Sequence, residues 1–226
     1  MHRGGSSTRQ RPACSPRSVS RASCGAICAA APIVSKTDDA HLVERQLDSA
    51  EVYQGHFLRV VKDRVALPDG GTASREFIRH PGAVMVVPLL DDGRLLMERQ
   101  YRYPMGRVML EFPAGKLDAG EAPLVCGQRE LLEETGYTAA EWAYAGVLHN
   151  AIAYSDEGIH IFFARGLSQG TQKLDDGEFL ELVTHTSAEL DQLAARGELT
   201  DAKSLIGLLW LQRWQQGAWS LDWQPA

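Results

Sequence analysis

Three carboxylates stand close together in the run Arg129-Glu130-Leu131-Leu132-Glu133-Glu134-Thr135-Gly136-Tyr137. On a helix, residues three and four apart share a face, so Glu130, Glu133 and Glu134 are predicted to project together. Gly136 is a natural residue just past a helix end, which puts these anions where the helix macrodipole favours cations. Each like-charge pair costs only about 0.2–0.5 kcal/mol, so a solvated acidic face is the plain reading and energetics alone does not decide. A divalent cation would reverse the sign of every one of these interactions, and hard ions such as Mg2+ prefer carboxylate oxygens together with phosphate. The chemistry such a helix can serve is the holding of a positive ion.

The helix itself is bracketed by Pro123, favoured in a first turn, and Gly136, which predicts residues 124–135. Upstream the chain is β-like. Residues 57–67 and 75–79 flank Asp69-Gly70 and read as a hairpin, and residues 83–90 and 94–101 flank Asp92-Gly93 and read as a second one. Downstream, 160–167 and 179–184 look like strands. Thr186 with Glu189 forms a capping box for a helix that Gly197 ends, and Thr200 is expected to cap the last helix. That helix carries Leu205, Ile206, Leu208, Leu209, Trp210, Leu211 and Trp214 on more than one face, so it is expected to be sandwiched. The mixture is α+β, with no internal repeat.

A chain of 226 residues with 23% charged and 44% hydrophobic residues suits one core with a small appendage and excludes wholesale disorder. No run of about 18 apolar residues occurs, so no membrane partner is expected. Residues 1–37 hold Arg3, Arg9, Arg11, Arg17, Arg21 and Lys36 and no acid, which leaves 17 basic residues against 29 acidic in the remainder. A net charge near −12 there discourages nucleic-acid binding. Cys14, Cys24 and Cys28 lie in that basic segment, which reads either as a disordered extension or as a targeting segment, and Cys126 alone falls in periodic sequence. Cys126 is expected to be an inert thiol in a reducing, cytoplasmic setting, and the seven histidines lack zinc-ligand spacing.

The 23-residue stretch from Gly115 to Tyr137 resembles the Nudix box, G-x5-E-x7-R-E-U-x-E-E-x-G-U, in all seven fixed residues, with Tyr137 in place of the usual final aliphatic. The resemblance implies a Nudix α/β/α sandwich with a small N-terminal antiparallel β region. It also implies Glu130 and Glu134 as principal ligands of Mg2+, with Mn2+ as a substitute, Glu133 assisting and the Ala114 carbonyl completing the set. Glu121 and Arg129 are implied as the pair that fixes the loop, Gly115 as the residue whose backbone freedom aims the Ala114 carbonyl, and Gly136 as the helix end.

Outside the box, Arg75-Glu76-Phe77-Ile78-Arg79-His80-Pro81-Gly82, Glu98-Arg99-Gln100-Tyr101-Arg102 and Leu110-Glu111-Phe112-Pro113-Ala114-Gly115-Lys116 are similar to the ADP-ribose pyrophosphatase subgroup. That similarity implies substrate contacts from Arg75 and Arg102, a ribose contact from Glu157, and a homodimer in which the N-terminal β region packs on the partner. Ala151-Ile152-Ala153 departs from the subgroup's usual Ser-Pro-Gly. The proton acceptor is expected in the loop Lys173-Leu174-Asp175-Asp176-Gly177-Glu178, with Asp176 as base and Glu178 reaching a metal. The division expected is residues 1–37 as tail, 38–80 as dimerising β region and 81–226 as hydrolase domain. The implied reaction is hydrolysis of ADP-ribose to AMP and ribose 5-phosphate. The alternatives are another sugar nucleotide such as GDP-mannose or ADP-glucose, or a non-catalytic ADP-ribose sensor.

Overall fold

The computed structural model describes residues 39–226, and the basic segment with its three cysteines lies outside them. Residues 42–226 form one unit. Its first part is an antiparallel sheet of three strands in the order β1 (Arg45–Gln54), β2 (Arg59–Ala66), β3 (Thr72–Arg79). Strands β2 and β3 pair without interruption from Arg59↔Arg79 to Ala66↔Thr72, forming the hairpin expected around Asp69-Gly70. Strand β1, which carries no strong periodicity, lies within the β region expected over residues 38–80 without a strand reading of its own. All ten of its residues are exposed, and its pairing with β2 slips twice.

Strand β4 (Ala83–Pro88) organises the rest. All six residues are buried, as a strand covered on both faces demands, and their side chains alternate between two cores. Val84 and Val86 meet Cys126 and Leu131 of α1 (Pro123–Thr135), together with Trp142 and Phe162. Met85 and Val87 point the other way, toward Phe112, Phe163, Leu208 and Leu211. The sheet has the order β11 (Trp223–Pro225), β8 (Tyr137–Leu148), β9 (Ile159–Gln169), β4, β7 (Ala114–Lys116), with β4 parallel to β9. Opposite α1 lie α2 (Ser187–Ala195) and α3 (Ala202–Gln215), and a second sheet of order β10 (Leu180–His185), β5 (Leu95–Arg102), β6 (Arg107–Glu111).

The hairpin expected over residues 83–101 needs correction. Its turn exists, with Leu90 N–H donating to the Arg94 carbonyl at 2.9 Å, but the arms separate beyond a single Leu89↔Leu95 bridge. Strand β4 is too apolar to have a solvated face, so it takes an interior place in the sheet between β9 and β7, while β5 pairs with β6 and β10 instead. The cap of α3 also differs. Asp201, not Thr200, accepts from the Ser204 backbone N–H at 3.0 Å, while the Thr200 hydroxyl accepts from Arg107 at 3.0 Å. The capping box of Thr186 and Glu189 forms on α2 as expected. Strands β6, β7, β8 and β11 had no reading in the sequence. Leu209 on α3 keeps an exposed side, so the helix is packed over most of its girth rather than sandwiched. Among the described residues no helix is long and apolar enough to cross a membrane.

Candidate active site

Strand β7 delivers the Ala114 backbone to the side of α1. The Ala114 N–H donates to Glu134 Oε2 at 3.0 Å, which fixes this carboxylate beside the strand. Gly115 is needed here for room: a Cβ at this position would overlap the Glu130 carboxylate. Its backbone is not in the left-handed region, so the expectation that it supplies an unusual turn is corrected to one of clearance.

Arg129 organises the other side. Its Nε and Nη2 fork onto Glu121 at 3.0 and 2.9 Å, and Nη1 reaches Glu130 at 2.8 Å and Glu133 at 3.1 Å. Glu121 also accepts from the Asp118 N–H at 3.0 Å, so the loop before α1 is tied to the helix by one planar cation. Arg129, and next the Asp118 N–H, hold the Glu121 carboxyl down at about 2. Cys126 sits beneath, buried and bonded to the Lys116 carbonyl at 3.4 Å, its thiol pushed up to about 12 chiefly by burial, as an unreactive cysteine should be.

The acidic loop after β9 is fastened to the end of α1. Gly136 adopts φ 74° as the helix terminates, and the chain that follows β9 satisfies carbonyls that α1 leaves open. Gly170 N–H donates to the Gly136 carbonyl at 2.6 Å and Lys173 N–H to the Glu133 carbonyl at 2.9 Å. Residues 174–178 are thereby held over the helix glutamates. Glu178 accepts from Gln100 Nε2 at 3.1 Å.

A cleft of about 570 Å³ gathers Ala114, Glu130, Glu134, Glu178, Arg102 and Glu157. Glu133 and Arg75 are not on its wall. Arg75 reaches Glu44, just before β1, with Nε to Oε2 at 2.9 Å and a second, shorter contact to Oε1. In the acidic loop, Asp175 and Glu178 line the cleft, while Asp176, exposed as Asp175 is, does not lie on its wall.

Several residues of this site had no assigned role in the sequence. Arg102 forks onto Glu111 at 2.7 and 2.9 Å, Lys203 contacts the same carboxylate, and Lys203 also reaches Asp201 at 3.0 Å. Burial raises the Glu111 carboxyl, but Arg102 and Lys203 outweigh it and leave it below the usual range. Phe57, from the β1–β2 turn, meets the His80 ring edge-on and lies under Lys116, whose Nζ is 4.4 Å from the ring centre. His80 Nδ1 accepts from the Gly82 N–H at 3.1 Å and lies 3.5 Å from Glu157 Oε1. For Glu111 the signal was available: a charge inside the otherwise apolar run from Val108 to Ala114 marks a buried partner.

The donor set fits a hard divalent cation. Burial first, then the field of Glu98, then Glu130 and Glu178, push the Glu134 carboxyl up to about 10, and burial likewise raises Glu130. Oxygens in that condition gain most from a cation that replaces their protons. Among the described residues no three acidic, histidine or cysteine groups already converge, because Arg129 draws Glu130 and Glu133 to itself.

Comparison with known proteins agrees with this geometry. The NUDIX domain profile matches residues 79–206, and the nucleoside diphosphate sugar hydrolase N-terminal domain profile matches residues 44–78. The methanol dehydrogenase activator of Bacillus methanolicus is 36% identical over 171 residues, covering 75% of this chain and 92% of that protein. The ADP-ribose pyrophosphatase of Bacillus subtilis is 35% identical over 173 residues, covering 76% and 94%. A crystal structure of an ADP compounds hydrolase superposes with a TM-score of 0.71 at 25% identity, over 77% of this chain and 95% of that one.

Proposed function

Because the chain belongs to the Nudix family, we propose that it is a pyrophosphohydrolase that cleaves the diphosphate of ADP-ribose to AMP and ribose 5-phosphate with Mg2+. The observation that carries the reading is a single cleft in which the carboxylates of α1 and of the acidic loop face Arg102 and Glu157. The Ala114 carbonyl, Glu130, Glu134 and Glu178 would hold the ion, with Glu133 assisting once Arg129 releases it. When bound, the ion neutralises diphosphate charge and acidifies a coordinated water. Glu178 or Asp175 would accept that water's proton, directly or through one intervening water. Arg102, held flat by Glu111, presents the planar cation suited to phosphate or adenine, and Glu157 is the acceptor for ribose hydroxyls. Arg75 would contribute from a second subunit or after leaving Glu44. The N-terminal sheet supports a homodimer, since β1 offers an exposed edge bearing Leu47, Val52 and Tyr53.

The test is a panel of ADP-ribose, ADP-glucose and GDP-mannose with Mg2+ and with Mn2+, products identified by chromatography. AMP and ribose 5-phosphate should form with the highest kcat/KM. A tenfold preference for another sugar nucleotide moves the assignment to that substrate, and tight binding without turnover makes the protein a sensor.

A further inference from the structure

Glu98 is a carboxylate that the reaction as described does not use. It is wholly buried in the middle of β5, and neither oxygen has a hydrogen-bond partner among the described residues. Leaving a buried acceptor unsatisfied costs about 1–3 kcal/mol, and more for a charged group, so two such oxygens on one side chain point to a missing partner. Alternation along the strand places Glu98 on the same face as Gln100, which holds Glu178, and Arg102, which lines the cleft. Across the sheet it stands opposite Glu111, also on the cleft wall.

Nearby protein cations do not supply that partner. Arg102 forks onto Glu111, and Lys203 bridges Glu111 and Asp201. Glu98 thus stands among carboxylates on three elements, Glu111 of β6, Glu134 of α1 and Glu178 of the loop; burial and the Glu111 charge raise its carboxyl to about 8 against the opposing fields of Lys203 and Arg102, neither of which bonds to it. A second buried acid, Glu134, accepts a single N–H, that of Ala114, and the field of Glu98 acts on it more strongly than that of its helix neighbour Glu130.

We infer that Glu98 and Glu134 together coordinate a divalent cation at the floor of the cleft, Glu98 being a ligand contributed by a strand outside the box. This rests on the metal-dependent reading above and extends its ligand set. Mg2+ is commonly held by only one or two protein carboxylates, the remaining positions going to water and substrate phosphate, so a pair of glutamates is sufficient.

The experiment is Mn2+ titration of the full chain at about pH 7.5, free Mn2+ being read by electron paramagnetic resonance, alongside thermal melts of the metal-free proteins. Glu98→Gln keeps the shape and Glu98→Met replaces the polar group, so one serves if the other fails to fold. Each should lose one bound Mn2+ per chain or bind it at least tenfold more weakly, with a metal-free Tm equal to or above that of the unaltered chain. Unchanged stoichiometry and affinity in either folded variant overturns the inference, leaving Glu98 as a buried neutral acid. Glu130→Gln separates the two readings: if it loses Mn2+ and the Glu98 variants do not, only this inference falls, and if none of them does, the box reading fails with it. A variant-free check is the anomalous signal of Mn2+ in crystals of the unaltered protein. A peak between Glu98 and Glu134 is expected, and occupancy confined to Glu130 and Glu178 is the contrary result.

Discussion

Glu134 accepts one N–H, that of Ala114, and otherwise faces Glu98, Glu130 and Glu178 from within the fold. Its carboxyl, lifted from 4.5 to about 10, is held more tightly protonated in the folded than in the unfolded chain. The sign follows: the stabilisation is complete below about 4.5 and is lost as pH rises toward the folded value. In the presence of EDTA, Tm should therefore fall between about pH 5 and pH 9, and Glu134→Gln should flatten that fall. Differential scanning fluorimetry across this range checks it; a profile identical in the two proteins would show that Glu134 is not the titrating group. The same substitution should lower kcat by orders of magnitude at saturating Mg2+ without unfolding the protein, because it removes charge and keeps shape. Near-normal turnover would end the metal assignment.

Among the elements, α1 and the acidic loop behave as one device. Leu131, fully buried, anchors α1 on Val84 and Val86, and Leu131→Ala should destabilise the fold by about 2–5 kcal/mol in urea titration. A smaller loss would mean that the helix is held mainly by its polar ties. The loop above it is expected to carry the proton acceptor. Asp175→Asn and Glu178→Gln should each lower kcat at least tenfold with KM changed less, while Asp176→Asn, at a side chain turned to solvent, should leave kcat within about twofold. Steady-state kinetics on the three variants decides this, and a large effect confined to Asp176 would restore the sequence-based choice.

For the whole molecule, the N-terminal sheet presents a continuous exposed strand on one side and is docked to the hydrolase fold on the other. Ile78 N–H donates to the Tyr154 carbonyl at 2.8 Å, and Asp156 accepts from the His80 N–H at 2.8 Å. A three-stranded sheet with so little apolar cover needs a second surface, and the proposed homodimer would supply it. Sedimentation at micromolar concentration should give a dimer; a stable, active monomer would refute this. Deleting residues 1–37 should leave both activity and assembly intact, since every group used in the cleft lies beyond them, and loss of either would place that segment in the working protein.

The box was legible because its chemistry is local. Glu130 and Glu134 share a face by helical periodicity alone, and Pro123 and Gly136 mark the helix ends through backbone constraints that any fold must respect. The α+β class and the capping box of α2 were readable for the same reason. What lay beyond sequence reading depends on distant partners. The arms of the apparent hairpin at Asp92-Gly93 separate because a strand buried on both faces must lie inside a sheet, and its parallel neighbour β9 is more than seventy residues away. Glu111 gains its role only when Lys203, ninety-two residues later, closes on it, and the acidic loop meets the helix glutamates only when Lys173 N–H reaches the Glu133 carbonyl. Local sequence can specify a turn or a helical face, but which buried charge meets which is decided by tertiary packing, where desolvation makes each such pairing obligatory.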